Sequence, residues 1–145
     1  RHRNAHAMVG FNYRYHPVHQ AVDGILRSGA IGRLTAVRTL FATPARALPQ
    51  WKRSRTSGGG ALLDLLSHHA DLVMHHTGES AESVSATVRS VYSEDDIGAV
   101  TWALSSGVIV QSAVSMSGAE TDRIEYIGEE GAVVADRIRG TVLKS

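Results

Sequence analysis

The sequence has no cysteine, only three prolines, few aromatic residues and no long apolar run. The absence of cysteine excludes a disulfide framework and a thiolate metal site, and it leaves the cytoplasm as the expected compartment. The absence of an apolar run of membrane-spanning length excludes a transmembrane helix, so no membrane partner is expected. The sequence therefore predicts a soluble globular protein.

Charge and length narrow the class of protein further. Fifteen lysines and arginines oppose fourteen aspartates and glutamates, which leaves a formal net charge of +1 at pH 7. No basic run is dense enough to follow a phosphate backbone, so nucleic acid is not an expected partner. The 145 residues suit one domain, since domains usually hold roughly 100–200 residues. The chain starts without methionine and at once enters the apolar segment 7–11, which predicts a fragment of a longer protein.

The first half of the chain carries signals for two helices and two strands. Residues 7–13 have the apolar content of a short strand, and residues 17–28 place apolar side chains at helical spacing behind an N-terminal proline. Residues 34–41 are rich in β-branched and apolar side chains, which predicts a second strand. Three glycines at 58–60 interrupt regular structure, and residues 61–76 after them form the longest helical pattern in the chain.

The second half of the chain predicts strands. Residues 84–88 alternate apolar and polar side chains, which is the period of a half-buried strand. Two further strand pairs flank turn sequences, at residues 97–104 with 108–116 and at residues 123–127 with 132–138. Because strands joined by short turns pair antiparallel, the sequence predicts an α+β fold. Its sheet is open and mostly antiparallel, with helices packed on one face and the other face free for oligomerisation.

The uncovered sheet face predicts self-association. Large apolar residues alternate along residues 100–104, more than a solvated face usually carries, so a homo-oligomer through the sheet face is expected. Trp102 allows two interpretations, because it can belong to that surface or point into the helix-covered core.

The helix predicted at residues 61–76 carries one polar stripe. At about 100° per residue, Asp64, His68, Asp71 and His75 share a face, while leucines and valines cover the other side. An aspartate four residues before a histidine can fix the tautomer of the ring and raise its pKa, which suits a general base. The alternative is a solvated polar stripe without a catalytic role.

Other binding motifs are missing from the same region. His68 and His75 are seven residues apart, about 10 Å along a helix axis, whereas known helical zinc sites use an i, i+4 pair, so no metal site is expected. His69 and His76 face the apolar side and are predicted to be core or rim histidines. No dinucleotide or P-loop glycine motif is present, and glycines 58–60 are predicted to let two chains approach closely.

Several segments share their order and spacing with one known family. They are Val9 to Pro17, Ser28 to Leu34, Gly58 to Asp64 with His68 and Asp71, residues 94–96 and residues 124–131. Together they resemble the C-terminal half of the Gfo/Idh/MocA oxidoreductases over nearly the whole chain. The resemblance implies that residues 1–145 form a single C-terminal substrate and oligomerisation domain, and that the N-terminal Rossmann domain is absent from this chain.

The resemblance also implies an activity. The full-length protein would be an NAD(P)-dependent dehydrogenase that transfers hydride between NAD or NADP and the carbinol carbon of a sugar, cyclitol or other polyol. The cofactor would be bound mainly by the absent Rossmann domain, which also supplies a catalytic lysine, so the fragment alone would be inactive. His68 would be the catalytic acid/base with Asp64 as its partner.

Further site residues follow from the matching segments. Arg14, Lys52 and Asp71 are the candidate substrate-binding residues, and Asp71 has an alternative role at the helix end or in a domain contact. The competing hypothesis is a non-catalytic ligand-binding or dimerisation module, in which Asp64 and His68 only stabilise the helix. A metal-binding module built on the histidines is the third.

Overall fold

The computed structural model describes residues 6–145, which fold into seven strands and two main helices. The helices are α1 (Pro17–Arg27) and α2 (Ser67–Thr77), and a π-helical turn at Leu62–Leu66 leads into α2. The strands are β1 (Leu34–Ala42), β2 (Ala81–Arg89), β3 (Ile97–Leu104), β4 (Ile109–Ser115), β5 (Thr121–Gly128), β6 (Ala132–Asp136) and β7 (Thr141–Lys144). The predicted α+β class is confirmed.

All seven strands form one sheet in the order β2-β3-β4-β1-β5-β6-β7. Every neighbouring pair is antiparallel except β1 and β4, which run parallel. The sheet is therefore mostly antiparallel, as predicted. Strand β1 comes from the first half of the chain and lies in the middle of the sheet, so residues far apart in sequence meet on its helix side. Phe41, for example, pairs with Val114 on β4 and with Asp122 on β5.

The hydrophobic core lies between the helices and one face of the sheet. Trp102 belongs to this core: it is 5% exposed, and its Nε1 donates to the Ser112 hydroxyl at 3.2 Å. Gly98 lies on the same face of β3, where a side-chain Cβ would lie 2.8 Å from Cδ2 of Leu62. The core interpretation of Trp102 is confirmed, because the helix side of β3 is also the side that Leu62 covers.

Residues 7–13 do not form the predicted strand. Residues 6–11 have no regular secondary structure, and a 3-10 turn follows at Asn12–Tyr15. Backbone N–H groups of this segment bond locally, from Phe11 to Val9 and from Asn12 to Gly10, instead of to a neighbouring strand. Apolar composition alone suggested a strand, but Met8 and Val9 are exposed, and local turns provide the hydrogen bonds that a ladder would have made.

Two strand predictions in the second half also need correction. Val84 on β2 is 71% exposed, so this strand is not half-buried. The reason is its place at the sheet edge, whereas α1 contacts β6 and β7 and the π-helical turn contacts β4 and β1. Strand β6 ends at Asp136 rather than at residue 138, because the chain turns at Arg137 to Gly140 and pairs again as β7.

The helix ends follow the sequence signals. Pro17 occupies the first position of α1, and the preceding His16 caps the helix by accepting a hydrogen bond at Nδ1 from the Val18 N–H at 3.3 Å. Gly78 ends α2 in the left-handed conformation, at φ +70°, with its N–H bonded to the Met74 carbonyl. Across residues 6–145, none of the helices is long and apolar enough to cross a membrane.

His19 and His76 lie near each other between α1, α2 and the sheet, His19 buried and His76 partly buried. His19 is 1% exposed, and neither of its ring nitrogens has a hydrogen-bond partner among the described residues. His76 bonds through Nδ1 to the Tyr126 hydroxyl at 2.7 Å, and the two imidazole centroids are 6.1 Å apart. Burial, followed by the neighbouring histidine charge, lowers the pKa of His19 to about 4, and burial likewise lowers the pKa of His76 to about 4.

These histidines should make the protein acid-sensitive. A folded-state pKa below the ordinary value of 6.5 means that the unfolded chain binds more protons between pH 4 and pH 6.5. The stability contribution is therefore complete above pH 6.5 and is lost as the pH falls towards 4, by about 3 kcal/mol for His19 alone. Urea unfolding across this range should show the loss, His19→Leu should reduce its slope, and the exposed-site variant His75→Leu should not. Equal slopes for wild type and His19→Leu would contradict the prediction.

Candidate functional site

A cavity of about 290 Å³ lies on the helix side of the sheet, between β1, the loop after it, the π-helical turn and the turn that follows β6. It brings together three residues that the sequence singled out, Lys52, Asp64 and His68. The other lining residues are Tyr13, Phe41, Ala42, Thr43, Arg46, Leu65, Glu120, Arg137 and Ile138.

Lys52 and Asp64 form an ion pair within this cavity, with Nζ and Oδ1 2.5 Å apart. Both side chains are largely shielded, at 22% and 17% exposure. Gly59 makes the pair possible, because a Cβ at this position would lie 2.3 Å from the Lys52 carbonyl oxygen. The sequence predicts a close approach of two chains at the glycines, whereas the structure brings two segments of one chain together there and places the lysine beside the start of the helix.

The π-helical turn changes the predicted polar stripe. With i→i+5 hydrogen bonds, each residue rotates the chain about the helix axis by less than it would in an α-helix. The face predicted for Asp64 from about 100° per residue is therefore not the face that it occupies relative to α2. Asp64 and His68 still line one cavity, but Asp71 is buried elsewhere and His75 is exposed to solvent. Such π turns occur often at functional sites, and this one contains Asp64 and directly precedes the helix that carries His68.

The His68 imidazole lies among aromatic rings, and no hydrogen bond joins it to Asp64 within the described residues. Its imidazole stacks on Tyr13 with centroids 4.5 Å apart and meets the edge of Phe11 at 5.9 Å. Nδ1 is buried and has no hydrogen-bond partner among the described residues, which leaves Nε2 as the ring nitrogen for a ligand. Burial lowers the pKa of His68 and outweighs the opposing charge of Asp64. The predicted rise in pKa is therefore wrong, and His68 is neutral at neutral pH.

Arg14 and Asp71 pair with each other. The Arg14 Nε donates to Oδ2 of Asp71 at 2.7 Å, and a terminal nitrogen of the same guanidinium binds Oδ1. Asp71 is 5% exposed, and Arg14 borders a different depression, which is formed by residues 8–12, 14 and 15. The Arg14–Asp71 ion pair thus joins the 3-10 turn at Asn12–Tyr15 to α2. Neither residue lines the His68 cavity. Their contact with a substrate stays a prediction.

A buried network behind the cavity was not found by sequence reasoning. The Asp122 carboxylate, fully shielded from solvent, contacts His69 Nε2 at 3.0 Å through Oδ1 and Arg137 Nε at 2.7 Å through Oδ2. The predicted burial of His69 is confirmed. Burial would raise the pKa of Asp122, but hydrogen bonds and charge from His69 and Arg137 hold it below its ordinary value. No local motif marks these residues, because 53 residues separate His69 from Asp122.

Among residues 6–145, no group of three histidine, aspartate or glutamate side chains is arranged to hold a metal ion. The side chains that line the cavity include a neutral imidazole that can accept a proton, a lysine–carboxylate pair and two arginines.

The chain matches the family model of the GFO/IDH/MocA C-terminal domain over residues 19–134. It is 32% identical to the inositol 2-dehydrogenase of Rhizobium meliloti strain 1021 over 145 residues, which covers 93% of this chain and 43% of that enzyme. It is 27% identical to the dTDP-3,4-didehydro-2,6-dideoxy-alpha-D-glucose 3-reductase of Actinomadura kijaniata over 140 residues, covering 95% and 42% of the two chains. The chain thus spans less than half the length of these relatives.

A solved structure agrees with the sequence relatives. GenD2 from gentamicin A biosynthesis, determined in complex with NAD, superposes with a TM-score of 0.78 at 32% identity and covers 87% of this chain and 38% of its own. The predicted resemblance is confirmed, and because the family model matches well over half of its residues, the chain belongs to the GFO/IDH/MocA C-terminal domain family.

Proposed function

We propose that the chain is the C-terminal substrate and oligomerisation domain of a cytoplasmic NAD(P)-dependent oxidoreductase, which acts on a hydroxyl of a sugar, cyclitol or polyol by hydride transfer. The cavity that unites Lys52, Asp64 and His68 carries this proposal. Its volume of about 290 Å³ suits a ligand of monosaccharide size. The relatives support the same class, since one is an inositol dehydrogenase and another was determined with NAD.

The described residues do not themselves form a dinucleotide site. The sequence has no glycine-rich loop of the G-x-G-x-x-G type, and a cavity of about 290 Å³ is at the small end of ligand sites. The nicotinamide cofactor would therefore be bound mainly by a Rossmann domain of the full-length protein. It follows from the proposal that this chain alone is inactive.

The cavity residues would divide the proton chemistry among them. His68, neutral at neutral pH, takes the proton of the reacting hydroxyl when the substrate is oxidised and returns it in the reverse direction. Asp64 stabilises the imidazolium that forms, because its charge favours the protonated ring. Lys52 neutralises Asp64 and presents its remaining N–H donors to a substrate oxygen.

The direct test is cofactor reduction by the full-length protein. Purified enzyme is mixed with NAD or NADP and with each of a panel of cyclitols, aldoses and linear polyols, including myo-inositol, and absorbance of the reduced cofactor is followed. We expect reduction that depends on at least one panel member. Failure of every substrate with both cofactors would reject the dehydrogenase and favour a non-catalytic ligand-binding or dimerisation module.

The uncovered face of the sheet is proposed as the homo-oligomer contact. Its central strands expose Ala99, Ala113 and Leu40 around a shallow depression of about 520 Å³. The rest of this lining is more polar and includes Arg38, Gln111, Arg123 and Glu125. An uncovered face of this kind on the middle strands of a sheet is typical of a protein contact. Helices do not cover this side, since Val100, Trp102 and Leu104 of β3 face the core and the residues between them lie on the other face.

A charge placed in the middle of that face should break the oligomer. Ala113→Arg is expected to convert the full-length assembly into smaller species, because a large charged side chain would have to be desolvated inside the contact. Light scattering coupled to size-exclusion chromatography measures the mass. Gln20→Arg adds the same charge on the exposed side of α1 and should leave the mass unchanged. An unchanged mass for Ala113→Arg, or a monomeric wild type, would reject this contact.

A further inference from the structure

Arg137 lies in the turn between β6 and β7 and lines the same cavity as His68. Its backbone N–H donates to the Asp122 carbonyl at 2.9 Å, and its side-chain Nε donates to the Asp122 carboxylate at 2.7 Å. The side chain is 24% exposed, so it is mostly enclosed and yet reachable from the cavity.

The guanidinium is held in place by rings as well as by charge. Its central carbon lies 4.6 Å from the centroid of the Tyr13 ring and 6.0 Å from that of Phe41. Tyr13 in turn stacks on His68, so one ring positions both the arginine and the histidine. A guanidinium that is already fixed loses little conformational entropy when it binds a ligand.

Most of the hydrogen-bonding capacity of Arg137 is unused. An arginine has five N–H donors, and the side-chain bond found within residues 6–145 uses Nε alone. The donors on the two terminal nitrogens therefore have no partner in this part of the protein. One N–H from each terminal nitrogen forms a planar, parallel pair, whose geometry matches two adjacent oxygen atoms on a ligand.

The surrounding charges favour a neutral ligand over an anion. Asp122 balances Arg137, and Lys52 balances Asp64. The other two charged residues of the lining, Arg46 and Glu120, are of opposite sign. With the charges around the cavity balanced, a carboxylate would find no surplus positive charge, whereas hydroxyl groups need only donors and acceptors.

We propose that Arg137 is a specificity-determining residue whose terminal N–H groups bind two adjacent hydroxyl oxygens of a neutral sugar or cyclitol, while the reacting hydroxyl meets His68. The inference rests on the proposed function for the reaction, but the binding contact itself requires no turnover. It assigns a substrate feature, a vicinal pair of hydroxyls away from the reacting carbon, to one named side chain.

The test compares the full-length wild type with Arg137→Lys, which keeps the positive charge beside Asp122 and removes the planar donor pair. Steady-state kinetics and calorimetric binding are measured with myo-inositol, or with the best neutral substrate of the panel, and with its monodeoxy analogues. For the parent compound KM and Kd should rise roughly 10- to 100-fold in the variant, with kcat changed much less. For analogues that lack a hydroxyl of the bound pair, wild type and variant should bind nearly alike.

Arg139→Lys is the matched control, because Arg139 lies in the same turn and pairs with Asp136 on the exposed surface. It should leave KM and Kd unchanged. The proposal is overturned if Arg137→Lys affects all analogues equally, if it changes only kcat or the melting temperature, or if only aldonate or uronate substrates respond to it. Wild type that binds polyols without turnover would reject the proposed reaction while calorimetry still tests Arg137; wild type that binds no polyol rejects the Arg137 contact.

Discussion

Replacing Asp122 by asparagine should lower the free energy of unfolding by about 3–5 kcal/mol, the range for removing one partner of a buried ion pair. The carboxylate is wholly shielded from water and contacts both His69 and Arg137. Asparagine keeps the size of the side chain but not its charge, so the Arg137 guanidinium would lose the counter-ion that offsets its burial. Urea unfolding followed by circular dichroism at pH 7 measures the change.

Asp23→Asn provides the control for this loss. Asp23 pairs with Arg27 one turn along α1, where the arginine is 70% exposed, and such helix pairs contribute only about 0.3–0.5 kcal/mol. A loss at Asp122 no larger than that at Asp23 would contradict the buried-network interpretation.

The pH dependence of stability gives a second check on Asp122. Because the pKa of Asp122 is held below its ordinary 3.8, its contribution is complete above pH 3.8 and is lost as the pH falls further.

Most of the fold could be predicted from local sequence patterns. Helix α1 has both its proline start and its periodic apolar residues in the sequence, and hairpin β3–β4 carries a turn signal between two alternating segments. The parallel pairing of β1 with β4 could not be predicted in this way, since no local signal states which distant strand will lie beside β1. The exposure of β2 failed for the same reason, because alternation does not reveal that the helices stop short of that edge.

In the candidate site, too, contacts within one segment could be predicted from the sequence, whereas contacts between distant segments could not. Asp64 and His68 share a short segment, and they lie in one cavity as that segment predicts. The partner of Asp64, however, is Lys52, which reaches it only because Gly59 allows the loop to approach. Arg137 and Asp122 meet through the pairing of β5 with its neighbours, which sequence spacing does not encode. The predicted direction of the His68 pKa shift is wrong, because spacing indicates a nearby carboxylate but not the extent of burial, and burial lowers this pKa.

The site therefore has two layers that respond differently to substitution. Lys52, Asp64 and His68 face the cavity and would act on the ligand. Asp122 lies behind Arg137 and supports it from the sheet. Changes in the rear layer should appear mainly as lost stability, whereas changes at the front should appear as lost activity in a protein that still folds. Of the cavity-facing residues, His68 is the one for which we expect the clearest loss of activity without a loss of folding.

Substituting His68 by alanine should reduce kcat of the full-length protein by roughly 10²- to 10⁴-fold on any substrate that it oxidises, the usual contribution of a general acid–base group. In the proposed reaction the neutral imidazole accepts the hydroxyl proton at Nε2, and alanine leaves no side chain that could do so. Because alanine also removes the ring that stacks on Tyr13, His68→Gln serves as a second variant that fills more of this space. Both should lose activity while melting near the wild-type temperature.

The pH dependence separates a base from a structural histidine. Burial lowers the pKa of His68 below 6.5, so wild-type kcat/KM for oxidation should be constant near neutrality and fall only in more acidic solution, where the ring is protonated. His68→Gln should lose this acidic limb together with its rate. His75→Gln, at an exposed position of the same helix, should keep both. If His68→Gln retains the wild-type rate and the same acidic limb, the base is another group, and the role of His68 is to pack between Tyr13 and Phe11.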